Sequence, residues 1–228
     1  MRVGAPDESL TRFSGLVAVS ELFERLGVVG RLDAAVGPIK SRDRGFTAGQ
    51  VLVGMAAAQL CGEDFLVGLD RHRADVAGQG LTPVPGLGST TAAGLARRFC
   101  EGQWAAVESG LGDVHAHALD LLGRVDPDRA GALSADVTID MDTSDMDTSD
   151  VEVYGRLKRG VAFNHQGQRV GRPHVATWAD ASVVLAADLG DGRDDPRASC
   201  AELLRRAAGP GAGRAPGPGA GGPDPVAC

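Results

Sequence analysis

Asp140 and Asp142 stand two residues apart in the run Val137-Thr138-Ile139-Asp140-Met141-Asp142. Apolar and polar residues alternate there, which is the period of a β-strand. On a strand the two carboxylates share one face, roughly 6–7 Å apart along the chain, and Val137, Ile139 and Met141 turn to the core. Carboxylates at the end of a buried strand suit Mg2+, a hard cation that takes oxygen ligands and keeps several waters. In two-metal phosphoryl transfer such groups hold ions that activate the nucleophile and stabilise the leaving oxygen. At least one more carboxylate must then come from elsewhere in the fold. The plainer reading of the same spacing is a solvated acidic turn. A calcium loop is excluded: counted from Asp140, its sixth position is Asp145 rather than glycine and its twelfth is Val151 rather than glutamate.

The acidic run opens into a tandem repeat. Residues 141–145 read MDTSD and residues 146–150 read MDTSD again, so Asp147 repeats Asp142. Five is an odd number, and an odd insertion swaps the faces of a strand. One copy therefore has to bulge or loop out. Beyond it, residues 151–178 carry five cations, Arg156, Lys158, Arg159, Arg169 and Arg172, against the single anion Glu152, with His165 and His174 in addition. Gly155, Gly160, Gly167 and Gly171 mark this stretch as a flexible basic loop. A DNA-cutting enzyme needs such a pairing, cations for the phosphates beside carboxylates for the metal. An ordinary charged surface loop has the same composition. His115 and His117 are two apart on a helix and point to different faces, so they are read as surface histidines rather than shared metal ligands.

The elements that must position these residues fall into two blocks. Up to about residue 125 the pattern is helical. Val19, Leu22, Phe23 and Leu26 form one stripe closed by Gly27. Thr47 is placed to cap a second helix through residue 60. Further helices are expected over 64–75, from Ser89 or Thr90 to 99, and over 104–122, with Pro83, Pro85, Gly86 and Gly88 breaking the chain between them. From about Ser134 the period changes to two. Residues 151–154 are expected as the hairpin partner of the acidic strand. Residues 182–189, nearly all apolar, read as a strand buried on both faces, and Asp195-Pro196 starts a helix to about 208.

Composition bounds the function. Hydrophobic residues make up 43% of the 228, enough for a real core, and aromatics only 4%, so Val, Leu and Ala must build it. The formal net charge of −7 opposes DNA binding over the chain as a whole and leaves it to local clusters. Cys61, Cys100, Cys200 and Cys228 are too far apart for a CxxC zinc knuckle. With no secretory opening and no apolar run near the roughly 20 residues of a membrane span, a reduced cytoplasmic protein without a membrane partner is expected. Residues 209–228, mostly Gly, Pro and Ala, read as a disordered tail. Out-of-frame translation of a GC-rich gene is an equal account of them.

The run VTIDMDTSD…VEVYGRLKRGVAFNHQGQRVGRPHV resembles the first catalytic block of DDE transposases from bacterial insertion sequences. There a D-x-D-x-T-D strand leads into a V-x-G hairpin and an N-x-x-G-x-x-x-x-x-P segment, matched by Asp140, Asp142, Val153 to Gly155, Asn164, Gly167 and Pro173. GEDFLVGLDRHRADV and GSTTAAGLARRF are similar to the family's amino-terminal blocks. The resemblance covers residues 15–208. It implies an α+β or α/β chain: a helical DNA-binding domain over 1–130, then over 131–208 the first part of an RNase H-like mixed sheet with a flanking helix. It implies Mg2+-dependent strand cleavage and joining at transposon ends, with Asp142 as the first catalytic aspartate, Asp140 beside it, and Asp147 instead if the second repeat copy takes the strand. Asp140 and Asp142 would ligate the metal, and Arg156, Lys158, Arg159, Arg169, Arg172 and His174 would contact DNA. Its partners would be transposon-end DNA and a second copy or a full-length transposase. The family's second Asp and its Glu lie on later elements, and Asp188 and Asp191 come too early to replace the former. The expectation is therefore a truncated transposase, inactive alone, or a non-catalytic fragment that competes with the full-length enzyme. A metal-binding protein built on the repeat itself is the third reading. A sheet lacking its later strands would also expose an edge and an apolar face.

Overall fold

The computed structural model describes residues 7–42, 44–142, 150–155 and 158–209, with the backbone alone at Asp142 and Pro196. The chain divides into two compact units, and the boundary falls between Val114 and His115, inside a long helix.

The first unit is helical. α1 (Leu16–Leu26) ends at Gly27, whose φ of 61° is the left-handed geometry that glycine adopts without strain. The same glycine opens α2 (Val28–Val36), a helix that the periodicity did not separate from loop. α3 (Ala48–Leu60) begins with a capping box: Thr47 accepts from the Gln50 amide, and the Gln50 side chain accepts from the Thr47 amide. Its small residues let it sit close on α2. A Cβ at Gly49 would overlap the Val29 carbonyl, and the Gly49 amide donates to Asp33 Oδ1 at 2.6 Å. α4 (Leu66–Ala74), α5 (Val76–Gln79) and α6 (Ser89–Ala96) follow. Val51, Leu69, Leu87, Leu95 and Phe99 fill the core between them, and Trp104 stacks on Phe99 at 4.5 Å while its other face stays exposed. α7 (Glu101–Val125) starts in this unit and is three residues longer than expected at each end.

The two stretches that resemble amino-terminal transposase blocks are tied together here. The Asp70 carboxylate of the first accepts from the Ser89 amide of the second at 3.0 Å and from its hydroxyl. Glu63, buried, is held by Arg71, with Arg12 at 3.8 Å. The charged residues of these blocks therefore build the helical unit's own fold.

The second unit carries the end of α7, then α8 (Pro127–Ala135), capped by Asp126 and started by Pro127. Then come β1 (Ile139–Asp142), β2 (Val151–Glu152), β3 (Ala162–Phe163), β4 (Arg169–Trp178), β5 (Val183–Asp191) and α9 (Pro196–Ala207). β4 is the organiser, and every pairing is antiparallel. The expected mixed sheet is thus an antiparallel one among the described residues. Gly171 faces Val151 of β2 and Asp191 of β5, so those two strands take opposite edges of β4. Residues 175–178 likewise face both β1 and β5, which puts β1 on the same edge as β2.

Further expectations for this unit are corrected. β2 is not the hairpin partner of β1; both pair with β4. The stretch read as a flexible basic loop contains the ten-residue central strand. Gly171 was one of its loop signals, yet a Cβ there would meet Leu189 Cδ1 at 3.3 Å, so it is a packing glycine. β5 is buried on one face only: Ala186 is 1% exposed against α9, while Val184 and Leu189 on the other face are 43% and 67% exposed. Ala176, Ala186, Leu203 and Ala207 form the core under α9, joined by Ile139 and Met141 of β1. Trp178 is fully buried, whereas Val137, expected in the core, is exposed ahead of β1. The Gly/Pro-rich segment from 210 lies outside the described residues.

Candidate functional site

Asp140 stands on β1 opposite Thr177, and Asp142 opposite Val175. Ile139 and Met141 pack toward α9, so alternation turns Asp140 to the sheet's uncovered face, where it is exposed. The backbone places Asp142 at a register position on that same face. Asp147 lies outside the described residues. Among the described residues no three His, Cys, Asp or Glu side chains come together in a way that could hold a metal ion.

The residues assigned to DNA separate into different roles. Lys158 and Arg159 are exposed. Arg169, the first residue of β4, reaches across to the segment before it: one guanidinium nitrogen donates to the Gly155 carbonyl and the other to the Lys158 carbonyl at 2.6 Å. It shapes the turn that presents Lys158 and Arg159. Arg172 Nε donates to Asp150 Oδ1 at 2.9 Å, with both side chains less than a quarter exposed, and Arg172 also reaches the Asp194 carbonyl at 3.3 Å. His174 is 2% exposed beneath α9, its Nδ1 3.2 Å from Ser199 Oγ. It falls on the buried face because β4 is a strand and His174 alternates with Ala176 and Trp178. A buried ring makes no surface contact, so His174 is removed from the DNA-facing set. Arg156 lies outside the described residues.

The carboxylate that the structure uses most here is one that the residue pattern did not single out. Asp150, the last residue of the second repeat copy, accepts from Arg172 and, at 2.8 Å, from Asn164 Nδ2. The Arg172 hydrogen bond holds its pKa below the ordinary aspartate range against the opposing effect of burial, and Asn164 adds to the lowering. Asn164 is itself buried, and its Oδ1 accepts from the amides of Gln166 and Gln168, closing the β3–β4 turn where Gly167 takes a φ of 78°. The asparagine and glycine of the resembling motif are thus the chemistry of a tight turn. The available signal for Asp150 was the odd repeat length, which leaves the last acid of one copy at a strand boundary.

The acidic and basic features share the edge of one strand but not one place. Asp140 lies opposite Thr177, and the basic turn is anchored at Arg169, eight residues along β4, or about 26 Å at strand rise. Beside the basic turn is a shallow pocket of about 510 Å³ lined by Glu152, Val153, Tyr154, Phe163, Gly167, Gln168 and Arg169. Tyr154 and Phe163 are 76% and 59% exposed there, and the Tyr154 hydroxyl donates to Glu152 at 2.7 Å. Two exposed rings thus line a pocket beside the turn that carries Lys158 and Arg159. No protein-family model, curated protein or solved structure matches this chain.

Proposed function

We propose that this chain is the amino-terminal part of a DDE-type transposase, a helical unit followed by the opening of an RNase H-like catalytic domain, and that it does not cleave DNA by itself. The observation that carries the reading is the acidic strand's setting. Asp140 projects from the uncovered face of a sheet whose other face is sealed by α9, and β1 pairs only with β4 among the described strands. We read this as the acidic strand of an RNase H-like sheet, with one face and one edge open among the described residues. Mg2+ chemistry belongs to the intact family, and the described residues bring too few carboxylates together to supply it.

DNA contact is assigned to the tip formed by Lys158, Arg159, Tyr154 and Phe163. The second reading, a non-catalytic fragment that competes with a full-length transposase for transposon ends, is favoured by this same tip, because it lies far from Asp140. Fluorescence anisotropy with a terminal-repeat duplex and a scrambled duplex across a salt series tests both. Binding that weakens steeply with salt, with no nicking in Mg2+, is expected. Binding confined to the terminal-repeat duplex supports the competing fragment. Absence of binding at low salt, or Mg2+-dependent nicking by this polypeptide, refutes the proposal.

A further inference from the structure

β1 and β2 run along one edge of β4, but in registers that do not match. Asp142 stands opposite Val175, and Val151 opposite Gly171. The β2 ladder carried back one residue sets Asp150 opposite Arg172, and the two side chains do pair, at 2.9 Å. Seven residues therefore separate Asp142 from Asp150 in the chain, while only Pro173 and His174 separate their partners on β4. The excess is five residues, the length of one MDTSD unit.

We infer that β1 and β2 are two halves of one strand, split by the tandem insertion of a single MDTSD copy. The faces agree with this. Ile139 and Met141 point toward α9, and Asp150 joins Arg172 on that same side, so the alternation broken by an odd insertion is restored once five residues are subtracted. In a one-copy chain the remaining Asp145 stands opposite Arg172, where Asp150 stands now.

The place of the interruption has a physical reason. Val153 N–H donates to the Arg169 carbonyl, and Ala179 N–H donates to the Thr138 carbonyl, each extending its own ladder outward. Both bonds assign the odd-numbered residues of β4 to this edge, since ladder bonds alternate. Pro173 is the odd-numbered residue within the gap, and it has no N–H to give. The insertion therefore sits across from the one position of β4 that cannot donate to this edge, where breaking the ladder sacrifices least.

Deleting residues 146–150 tests the inference in the full-length chain; deleting 141–145 yields the identical polypeptide, so the result does not depend on which copy is removed. The shortened protein is expected to melt a few degrees higher. Its amides at positions 140, 142, 144 and 146, the ones that face β4, should exchange as one protected set, including Ser144 opposite Pro173. Asp145→Ala and Arg172→Ala should show coupling in a double-mutant cycle. A chain with three copies should melt close to the natural one, because on this inference a further copy only lengthens the interruption, at small entropic cost. A shortened chain that melts lower or fails to fold, free exchange at Ser144, or a lack of Asp145–Arg172 coupling would overturn the inference. None of these readouts involves DNA or metal, so the inference stands or falls apart from the proposed function.

Discussion

Asp150 and Arg172 show how one ion pair can turn a cation expected to contact DNA into part of the fold. Asp150's folded pKa lies below the roughly 3.9 of a free aspartate, chiefly through its hydrogen bond with Arg172. Its contribution to stability is therefore complete above the unfolded value and is lost as pH falls through the folded one. Asp150→Ala is expected to cost about 2 kcal/mol at pH 7, the scale of a hydrogen bond to a charged group. Urea melts at neutral pH and near pH 2 check this: the gap between the variant and the natural protein should close in acid. Lys158 and Arg159 behave in the opposite sense. Lys158→Ala and Arg159→Ala should leave the melting temperature alone and each lower the salt slope of DNA binding by about 1, whereas Arg172→Ala should lower stability. His72 is a further residue whose role is internal: it is 5% exposed, with the Phe13 ring at 6.1 Å.

At the level of elements, the helices that carry local signals were legible. Thr47 announced α3 through its capping box, Gly27 announced the end of α1, and Asp195-Pro196 announced α9. Thr47→Ala should cost about 1 kcal/mol, and Leu203→Ala, which removes a fully buried side chain of α9, about 2–5 kcal/mol; denaturant unfolding measures both. α2 was not legible because Gly27 both ends one helix and begins the next. β4 was hidden by its own residues, since a proline, a glycine and several cations argue against a central strand. They are tolerated for separate reasons: Pro173 turns its nitrogen to the interrupted edge, Gly171 packs under Leu189, and Arg172 finds Asp150. The acidic strand was readable from alternation alone. Its separation from the basic turn was not, because that distance is set by the length of β4, which the residue pattern missed.

Across the whole molecule, no helix among the described residues is long and apolar enough to cross a membrane. The sheet's second face instead leaves Val151, Val184 and Leu189 in water, and exposed apolar sheet surface favours self-association. Leu189→Lys should raise the concentration at which the protein stays monodisperse, read by light scattering, without lowering its melting temperature. In limited proteolysis a fragment within residues 15–125 should outlast one within 130–208.

The chain has two tryptophans, and each unit owns one: Trp104, half in solvent against Phe99, and Trp178, fully buried at the end of β4. Their emission colours should differ, red-shifted for the former and blue for the latter. Trp104→Phe would leave a single indole as an optical gauge of the sheet alone, so the melting of each half can be followed in the intact polypeptide without labels.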